Sequence, residues 1–307
     1  MINIIISYQE SYYNNNSTNN SYDIAQDIVD CTLDDKNNRI VVGIKKLDDS
    51  KIEQFKTQVL NSNALIFENK NCEPQYGSRP YDDSKISNLN IDTSIIQQAT
   101  SNNLTIRPGM EIISNKLGVY SVGFPVYRTI TSGKEYGFVT SAHYLEVGDT
   151  FLDVNTAEKI GTVKLSAFGG KYDVSFVALE SGVSCSNNIS NTSYSLYPSN
   201  WEIDNPVYGK LVYLYGAVNY SSGKIVSTNY TYYNKETETS FSGMVAADYL
   251  SAKGDSGGVV ASSYTDNYTK IQEGIHCGWR KLDNDSIIGT YYCSAANIVN
   301  LWYLVCY

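Results

Sequence analysis

The stretch Gly254-Asp255-Ser256-Gly257-Gly258 places a serine in a glycine-rich turn. A serine hydroxyl is a weak nucleophile, so it needs a neighbouring base, and it gains most when backbone amides meet the negative charge that develops on the attacked carbonyl. The amides of Gly254 and Ser256 are expected to form such an oxyanion hole. The stretch therefore predicts acyl-transfer chemistry with Ser256 as the nucleophile.

Two upstream stretches offer the other residues that a nucleophilic serine needs. Residues 137–143, GFVTSAH, form an apolar, strand-like run that ends at His143, one of two histidines in the chain. Residues 172–179, YDVSFVAL, form a second apolar run that begins with Tyr-Asp173. We predict that His143 is the general base and that Asp173 orients its imidazole. This chemistry needs no metal ion and no cofactor.

The order of the three residues along the chain distinguishes it from other serine hydrolases. The α/β-hydrolases have the order Ser, acid, His, and the subtilisins have Asp, His, Ser. Together with Ser121-Val122-Gly123-Phe124 before the histidine strand, the motifs resemble those of the chymotrypsin-like serine proteases, in particular the bacterial α-lytic protease and streptogrisin branch. The resemblance covers roughly the last two-thirds of the chain. It implies two six-stranded antiparallel β-barrels with the active site in the cleft between them.

Two of the predicted catalytic residues, His143 and Asp173, have alternative interpretations. His143 could be a structural histidine at a strand end. Asp149 and Asp153 are nearby loop carboxylates that could orient the histidine instead. Asp173 is favoured because it opens an apolar strand like the one that carries the acid in the relatives. Asp255 is expected to hold the oxyanion loop through a buried contact.

The second histidine indicates where substrate specificity is determined. The segment Gly-Ile-His that ends at His276 resembles the corresponding segment of bacterial glutamyl endopeptidases, in which a histidine and a serine hold the substrate carboxylate. Ser251 lies five residues before Ser256, where that serine occurs. The resemblance implies cleavage after Glu or Asp, whereas an ordinary core histidine is the alternative. The expected pocket residues are Ser251, His276, Cys277, Gly278 and Trp279.

Composition and motif divide the chain into five parts. Residues 14–21 are nearly all Asn, Ser and Thr, and such a tract cannot bury apolar area. Strand-like runs at 39–45 and 64–67 flank a helical pattern, which resembles the end of the pro-region of bacterial relatives; a small accessory domain that stays attached is the alternative. The predicted parts are a polar lead-in (1–35), a β-α-β pro-region-like unit (36–75), a linker where processing is expected (76–104), a first barrel with His143 and Asp173 (105–200), and a second barrel with Ser256 and a C-terminal helix (201–307).

The predicted fold class is therefore mostly β, a chymotrypsin-like double antiparallel β-barrel with a small α+β domain before it. Short β-rich runs punctuated by Gly, Asn and Ser support the barrels. The C-terminal helix is predicted because Ile298, Leu301, Trp302 and Val305 recur at helical spacing.

Charge and hydropathy exclude several classes of protein. The chain has 307 residues, a net charge of −9 and 42% hydrophobic residues, which indicates a globular protein without the basic patch that nucleic-acid binding requires. No apolar run approaches the length of a membrane span, and the first residues lack the pattern of a secretory signal. We expect a monomer that acts on polypeptides, from a bacterium with an AT-rich genome. The compartment is not assigned.

The six cysteines do not follow the pattern of secreted relatives. The resemblance places a disulfide between the positions that Tyr120 and Tyr144 occupy here, and it leaves Cys277 without its expected partner. Cys277 could pair with Cys293 across a short loop, or the cysteines could be free, buried thiols.

The sequence thus favours a serine endopeptidase that forms an acyl-enzyme on Ser256. Two other classes of function remain open. One is a catalytically silent scaffold that serves as a binding module. The other is an esterase or acyl transferase with the same triad, because the chemistry up to the acyl-enzyme is shared.

Overall fold

The computed structural model describes residues 1–15, 22–70, 72–76, 79–80, 104–266, 268–282 and 287–307. These residues form a mostly β protein with two large curled sheets, a small helix-and-strand unit at the N-terminus and a helix near the C-terminus. The architecture confirms the predicted fold class. The described residues contain no helix whose length and apolarity would let it cross a membrane.

The N-terminal unit is built on a β-α-β core. Its elements are α1 (Ile2–Asn15), a 3-10 helix (Ile24–Gln26), β1 (Ile28–Asp34), β2 (Arg39–Ile44), α2 (Asp49–Gln58) and β3 (Leu65–Asn69). Strands β2 and β3 pair in parallel, and β1 pairs antiparallel with β2. Helix α2 begins after Asp48, whose carboxylate accepts a hydrogen bond from the Lys51 amide at 2.8 Å. Its Phe55 is fully buried against the strands.

This unit starts earlier than the predicted boundary at residue 36. Helix α1 and all of β1 lie within residues 1–35, for which a polar lead-in is predicted. One face of α1 is apolar enough to pack on the unit, because its buried residues recur at helical spacing. They are Ile2, Ile5, Ile6 and Gln9. Residues 16–21 of the polar tract lie outside the described residues.

Two short strands follow the unit, β4 (Cys72–Tyr76) and β5 (Arg79–Pro80). Strand β5 lies within the predicted linker 76–104. Residues 77–78 and 81–103 of that linker lie outside the described residues.

The barrels follow in chain order. The next strands are β6 (Leu104–Ile106), β7 (Glu111–Ser114), β8 (Gly118–Ser121), β9 (Pro125–Ile130), β10 (Gly133–Thr140), β11 (Thr150–Asp153), β12 (Lys159–Gly169), β13 (Tyr172–Leu179), β14 (Val183–Cys185) and β15 (Ser195–Leu196). The remaining elements are β16 (Leu211–Tyr215), β17 (Tyr220–Asn234), β18 (Thr239–Ala247), β19 (Val259–Ser263), β20 (Thr269–Leu282), β21 (Ile287–Ser294), α3 (Ala295–Trp302) and β22 (Val305–Cys306).

Among the described residues, one sheet forms the first barrel and another forms the second. The first sheet has the order β22-β9-β10-β13-β12-β11-β7-β8-β5. The second has the order β16-β19-β20-β21-β18-β17-β1-β2-β3, and both β4 and β15 pair with β20. The N-terminal unit is therefore continuous with the second barrel, because β1 pairs antiparallel with β17.

The two barrels share one apolar core. Phe124 and Phe176 from the first barrel and Tyr230 and Ile275 from the second belong to the same buried cluster. The helix α3 closes this core with Ile298, as its apolar spacing predicts.

The C-terminal helix ends earlier than its predicted apolar face. Tyr303 adopts a left-handed conformation with φ 52°, which stops α3. Val305 consequently lies in β22, where it pairs with Tyr127 of the first barrel. The end of the chain therefore ties the second barrel to the first.

Candidate active site

The predicted base lies just beyond the end of a buried strand. Strand β10 ends at Thr140, and His143 follows in a short turn with its side chain fully buried. The Tyr120 hydroxyl donates a hydrogen bond to the His143 carbonyl at 2.8 Å. Tyr120 holds a position where the secreted relatives are expected to have a cystine. The turn is therefore fixed here by a tyrosine hydrogen bond.

Asp173 anchors both the backbone and the ring of His143. Its Oδ1 accepts hydrogen bonds from the amides of Ala142 at 2.7 Å and His143 at 2.9 Å. Its Oδ2 lies 2.8 Å from His143 Nδ1. Because a carboxylate is an acceptor, Nδ1 carries the proton in this pair, and Nε2 presents its lone pair on the other side of the ring.

The two alternative carboxylates serve their own loops. Asp149 Oδ2 accepts the Glu146 amide at 2.7 Å and pairs with Lys116. Asp153 Oδ1 accepts two amides of the turn that follows it. Of the three candidate carboxylates, Asp173 is the one that bonds to the imidazole.

Ser256 completes the cluster from the second barrel. Its Oγ lies 3.0 Å from His143 Nε2. Its carbonyl accepts the amide of Ser121, on the first barrel, at 2.7 Å. The side chains of His143, Asp173 and Ser256 are all fully buried. The three residues thus form a continuous hydrogen-bonded chain across the contact between the barrels.

Two positions near Ser256 require glycine, because neighbouring segments of the chain approach too closely to leave room for a side chain. Gly257 has φ of 83°, and a Cβ there would lie 2.0 Å from Thr140 Oγ1. At Gly123 a Cβ would lie 2.4 Å from the Val139 carbonyl oxygen. Any larger residue at either position would push apart the two segments of chain that hold His143 and Ser256.

The predicted oxyanion donors are available. Gly254 has φ of 104°, and its carbonyl is held by the Ser121 hydroxyl at 2.8 Å. In the hydrogen bonds between described residues, neither the Gly254 amide nor the Ser256 amide has an acceptor. Both N–H groups can therefore donate to an oxygen that arrives from outside the protein.

Asp255 is the anchor of this loop. Its fully buried carboxylate accepts hydrogen bonds from the amides of Val218 at 2.8 Å, Asn219 at 2.9 Å and Ala252 at 2.8 Å. The Asn219 side-chain amide adds a fourth at 3.0 Å. Burial raises the pKa of Asp255, although these hydrogen bonds oppose the shift. The sequence alone predicts a buried contact here and gives no information about its partners.

The second histidine is buried beside the triad with one ring nitrogen engaged. His276 Nδ1 lies 3.1 Å from the Tyr249 hydroxyl, and Nε2 has no hydrogen-bond partner in the part of the chain that the structure describes. Burial, together with the nearby His143, lowers the pKa of His276 to about 3. Burial raises the pKa of Tyr249 well above its usual value. At neutral pH the pair is therefore an uncharged imidazole beside a protonated phenol.

The other expected pocket residues lie on both sides of His276. Ser251 is buried, and its Oγ has no partner among the described residues. Cys277 and Gly278 continue β20, and Trp279 is 3% exposed with its indole N–H also unpartnered within the described part. Sequence reasoning missed Tyr249, because nothing in its local sequence distinguishes it from the other tyrosines of a chain that has 27.

Cys31, Cys185, Cys277, Cys293 and Cys306 are free thiols, and all of them but the half-buried Cys185 are buried. Cys277 and Cys293, which could have paired, donate weakly to the backbone carbonyls of Ile275 and Lys171. Burial raises the pKa of both thiols. Among the described residues, no cluster of histidine, cysteine and carboxylate side chains is arranged to hold a metal ion.

Comparisons with known proteins agree with this architecture. Residues 3–70 match the family model of the Pro-like C-terminal domain. Comparison with curated protein sequences gave no match. The Nocardiopsis protease NAPase superposes with a TM-score of 0.53 at 23% identity, over 66% of this chain and 98% of that protease.

Two further solved structures superpose over the same share of the chain. An α-lytic protease homologue has a TM-score of 0.51 at 18% identity, and the superposition covers 66% of this chain and 98% of that protein. A glutamic acid specific serine protease, described as using a histidine triad in substrate binding, has a TM-score of 0.52 at 19% identity. The superposition covers 66% of this chain and 100% of that protease. The chain has the chymotrypsin-like fold. The family match at residues 3–70 also places the start of the N-terminal unit well before residue 36.

Proposed function

We propose that this protein is a serine endopeptidase with Ser256 as nucleophile, His143 as general base and Asp173 as the residue that orients the base. The observation that carries the proposal is the unbroken chain of short contacts, 2.8 Å from Asp173 Oδ2 to His143 Nδ1 and 3.0 Å from His143 Nε2 to Ser256 Oγ. A structural histidine would not need a buried serine and a buried carboxylate on opposite ring nitrogens.

The geometry supports a two-stage hydrolysis. His143 Nε2 takes the Ser256 proton as Oγ attacks the peptide carbonyl carbon, and the amides of Gly254 and Ser256 donate to the oxyanion. His143 then returns the proton to the leaving amine, and the acyl ester forms on Ser256. Water, deprotonated by the same imidazole, hydrolyses the ester. Asp173 stabilises the imidazolium in both stages.

The pocket residues support a preference for Glu or Asp before the cut. Ser251 Oγ and His276 Nε2 are buried polar atoms without partners among the described residues, and leaving such atoms unpaired costs about 1–3 kcal/mol each. A substrate carboxylate would accept hydrogen bonds from both. The bulk of Trp279 favours a slender side chain in the pocket.

Tyr249 would set the direction of the His276 hydrogen bonds. If its hydroxyl donates to Nδ1, the single proton of the neutral imidazole is held on Nε2, where it can be donated to a carboxylate. The solved glutamic acid specific protease is described as using a histidine triad in substrate binding. This chain has two histidines, one of which bonds to Ser256, so Tyr249 would take a role that a histidine could fill elsewhere.

A fluorophosphonate probe tests the nucleophile. We expect covalent labelling of the wild-type protein during incubation, and no labelling of Ser256→Ala or His143→Gln. Absence of labelling in a folded wild-type protein would instead indicate a silent scaffold. Hydrolysis of a peptide ester without hydrolysis of the matching amide would indicate an esterase.

A peptide library tests the pocket. Cleavage products are expected to carry Glu or Asp at their new C-termini more often than any other residue. Active enzyme that shows no such enrichment would contradict the acidic preference and leave the endopeptidase proposal in place.

A further inference from the structure

Ser121 lies in the first barrel, but its side chain is bonded to two loops of the second. It is the last residue of β8, and its side chain is fully buried. The hydroxyl donates to the Gly254 carbonyl at 2.8 Å and accepts from the Ala217 amide at 2.8 Å. A carbonyl can only accept and a backbone amide can only donate, so the single proton of the hydroxyl points at Gly254.

The backbone of Ser121 holds the far end of the same turn. Its amide donates to the Ser256 carbonyl at 2.7 Å. Its carbonyl accepts the Thr140 hydroxyl at 2.9 Å, which ties it to the end of β10, shortly before His143. One residue of the first barrel thus bonds to two carbonyls of the turn that contains the proposed nucleophile.

The peptide groups on both sides of Ser256 are fixed by hydrogen bonds. The Gly257 amide donates to the His276 carbonyl at 2.8 Å, and the Gly258 amide donates to the Asp255 carbonyl at 2.8 Å. The Ser256 carbonyl is also held, as described above. The second proposed oxyanion donor, the Ser256 amide, therefore has a set direction.

The first proposed donor, the Gly254 amide, lacks such support. Its peptide group joins Lys253 to Gly254, and in the hydrogen bonds between described residues neither the carbonyl nor the N–H of that group has a partner. Lys253 is also exposed. The direction of this N–H therefore depends on how the turn holds the Gly254 Cα and the carbonyl that follows it.

Gly254 offers little resistance to rotation. Its φ is 104°, and a glycine, which has no Cβ, changes its backbone angles more freely than any other residue. The next N–H, that of Asp255, donates at 3.1 Å to Ala252 within the same turn, so this bond moves with the turn. The Ser121 hydroxyl is the group that ties the Gly254 carbonyl to the first barrel.

A second contact keeps the Ser121 hydroxyl aimed at its acceptor. The Ala217 amide occupies a lone pair of the hydroxyl, and the neighbouring amides of Val218 and Asn219 donate to the buried Asp255 carboxylate. One short segment thus supports both the carboxylate inside the turn and the hydroxyl outside it. A hydroxyl held in a network of this kind has little freedom to rotate away.

We propose that Ser121 is a positioning residue of the oxyanion hole: its hydroxyl holds the Gly254 carbonyl so that the Gly254 N–H faces the developing oxyanion. The proposal rests on the serine endopeptidase function above. Ser121 acts through Gly254 and not on the substrate. The hole is built from the second barrel, but its direction is set by the first, so it is complete only when the two barrels are docked.

Removing the hydroxyl would leave the Gly254 carbonyl and the Ala217 N–H without their partner. A buried carbonyl without a donor is unfavourable, so the turn is expected to rotate until this carbonyl finds another donor. The Gly254 N–H moves with it, and an oxyanion donor is effective only within about 2.7–3.1 Å of the oxygen. Ser256 and His143 keep their own contact.

Kinetics of Ser121→Ala in the full-length chain test the proposal. We expect kcat on a peptide anilide to fall by about 30- to 100-fold, less than the loss of a whole oxyanion donor would cause, with KM changed by less than about twofold. The pH midpoint of kcat/KM should not move, because His143 keeps its bonds to Asp173 and Ser256.

Two inhibitors separate positioning of the hole from packing. With a peptide trifluoromethyl ketone, Ser256 Oγ bonds to the ketone carbon, its proton passes to His143 Nε2, and the resulting oxyanion lies in the hole. Its Ki should rise in Ser121→Ala by the same factor by which kcat/KM falls. The matching peptide alcohol carries no oxyanion, so its Ki should stay the same.

Ser114→Ala is the matched control. Ser114 is also a buried serine of the first barrel, and its hydroxyl accepts from the Gly118 amide at 3.1 Å, in the turn between β7 and β8. Its loss should lower the urea midpoint and leave kcat and the ketone Ki within about twofold of the wild-type values. A second variant, Ser121→Cys, keeps a side chain of similar shape with a weak donor, so it should fold and show the same selective loss.

Any of three results would overturn the positioning role. The first is an unchanged kcat in folded Ser121→Ala, or in Ser121→Cys where the alanine variant does not fold. The second is a Ki that rises equally for ketone and alcohol, which indicates lost packing, and the third is failure of both variants to fold. In these cases wild-type hydrolysis of the anilide leaves the endopeptidase proposal intact. A folded wild-type chain that neither hydrolyses the anilide nor reacts with the fluorophosphonate overturns both proposals.

Discussion

The proposed catalytic centre and the proposed pocket beside it are equally buried but differ in their hydrogen bonds. Both ring nitrogens of His143, both oxygens of Asp173 and the Ser256 hydroxyl have protein partners. In the pocket, by contrast, Ser251 Oγ and His276 Nε2 have none among the described residues. Buried polar atoms are nearly always satisfied in folded proteins, so the exceptions need an explanation.

The difference indicates which part of the site acts within the protein and which acts on a ligand. A satisfied network is rigid and holds its groups in one geometry, as proton transfer requires. Unsatisfied donors raise the free energy of the folded protein, and a ligand that accepts from them recovers that free energy on binding. Changes to the first region should therefore lower the rate for every substrate, and changes to the second should alter selectivity.

The largest expected effect comes from breaking the satisfied network at Asp173. In Asp173→Asn, the side-chain NH2 group would face His143 Nδ1 and donate a hydrogen bond to it. The imidazole proton would then lie on Nε2, so Nε2 could not accept the proton of Ser256. We expect kcat on a peptide anilide to fall by about 10⁴-fold for all substrates alike. Asp153→Asn is the matched control, because its carboxylate bonds only within its own turn, and it should change kcat by less than about twofold. Equal losses in the two variants would assign the orienting role away from Asp173.

The second largest effect is expected from removing a buried hydroxyl that has no hydrogen-bond partner among the described residues. Ser251→Ala should lower kcat/KM for peptides with Glu before the cut by about 10- to 100-fold, the equivalent of one hydrogen bond to a charged group, and should leave alanine substrates nearly unchanged. Its unfolding free energy should not fall, because the hydroxyl has no partner to lose.

Ser262→Ala is the control for that experiment. The Ser262 hydroxyl is also buried but donates to Glu273 at 2.6 Å. Its removal should lower the urea midpoint and leave Glu selectivity unchanged. If Ser251→Ala behaves like Ser262→Ala, the pocket hydroxyl is structural.

A smaller effect is expected at Tyr249, whose hydroxyl contacts His276 Nδ1. Tyr249→Phe removes the hydroxyl that faces Nδ1, so the imidazole proton is no longer held on Nε2. We expect selectivity for Glu over Ala to fall by about tenfold with little change in kcat for alanine substrates, the equivalent of one net hydrogen bond. Tyr292→Phe is the control, because that buried hydroxyl has no partner among the described residues. Unchanged selectivity in Tyr249→Phe would remove Tyr249 from the pocket.

The sequence predicts those features that depend on short stretches. Ser256 and His143 stand out as the proposed nucleophile and base because a serine in a glycine turn and a histidine at a strand end need only a few neighbouring residues to be recognised. The fold class follows from the same motifs and from the β-rich runs. Tyr249 is not recognisable, because its proposed role comes from a contact with His276, 27 residues away, and local sequence does not encode such a pairing.

Local sequence patterns also do not predict which strands pair when they lie far apart along the chain. The contact of β1 with β17 joins residues about 200 positions apart, and β4 with β20 is similarly distant. Ile2 and Ile5 belong to the apolar face of α1. Because they stand among the first residues, this segment is considered as a possible secretory signal in the sequence analysis, and not as a helix that packs on the unit. Local spacing likewise extends α3 to Val305, where the left-handed Tyr303 has already ended the helix.

The smallest expected effect concerns stability and follows from the burial of His276. Its pKa is lowered to about 3 in the folded protein, whereas an unfolded chain has the usual value near 6.5. Between these values the unfolded chain binds the proton first, so the contribution of His276 to stability is fully present above about pH 6.5 and is lost as the pH falls towards 3. From pH 7 to 5.5 the loss should be about 1 kcal/mol in urea unfolding of Ser256→Ala, which lacks the proposed nucleophile. Adding His276→Gln should reduce the pH-dependent loss by that amount, since glutamine does not titrate. An identical loss with and without His276 would mean that this imidazole is as easily protonated in the folded protein as in water, and the pocket would then present a cation to its ligand.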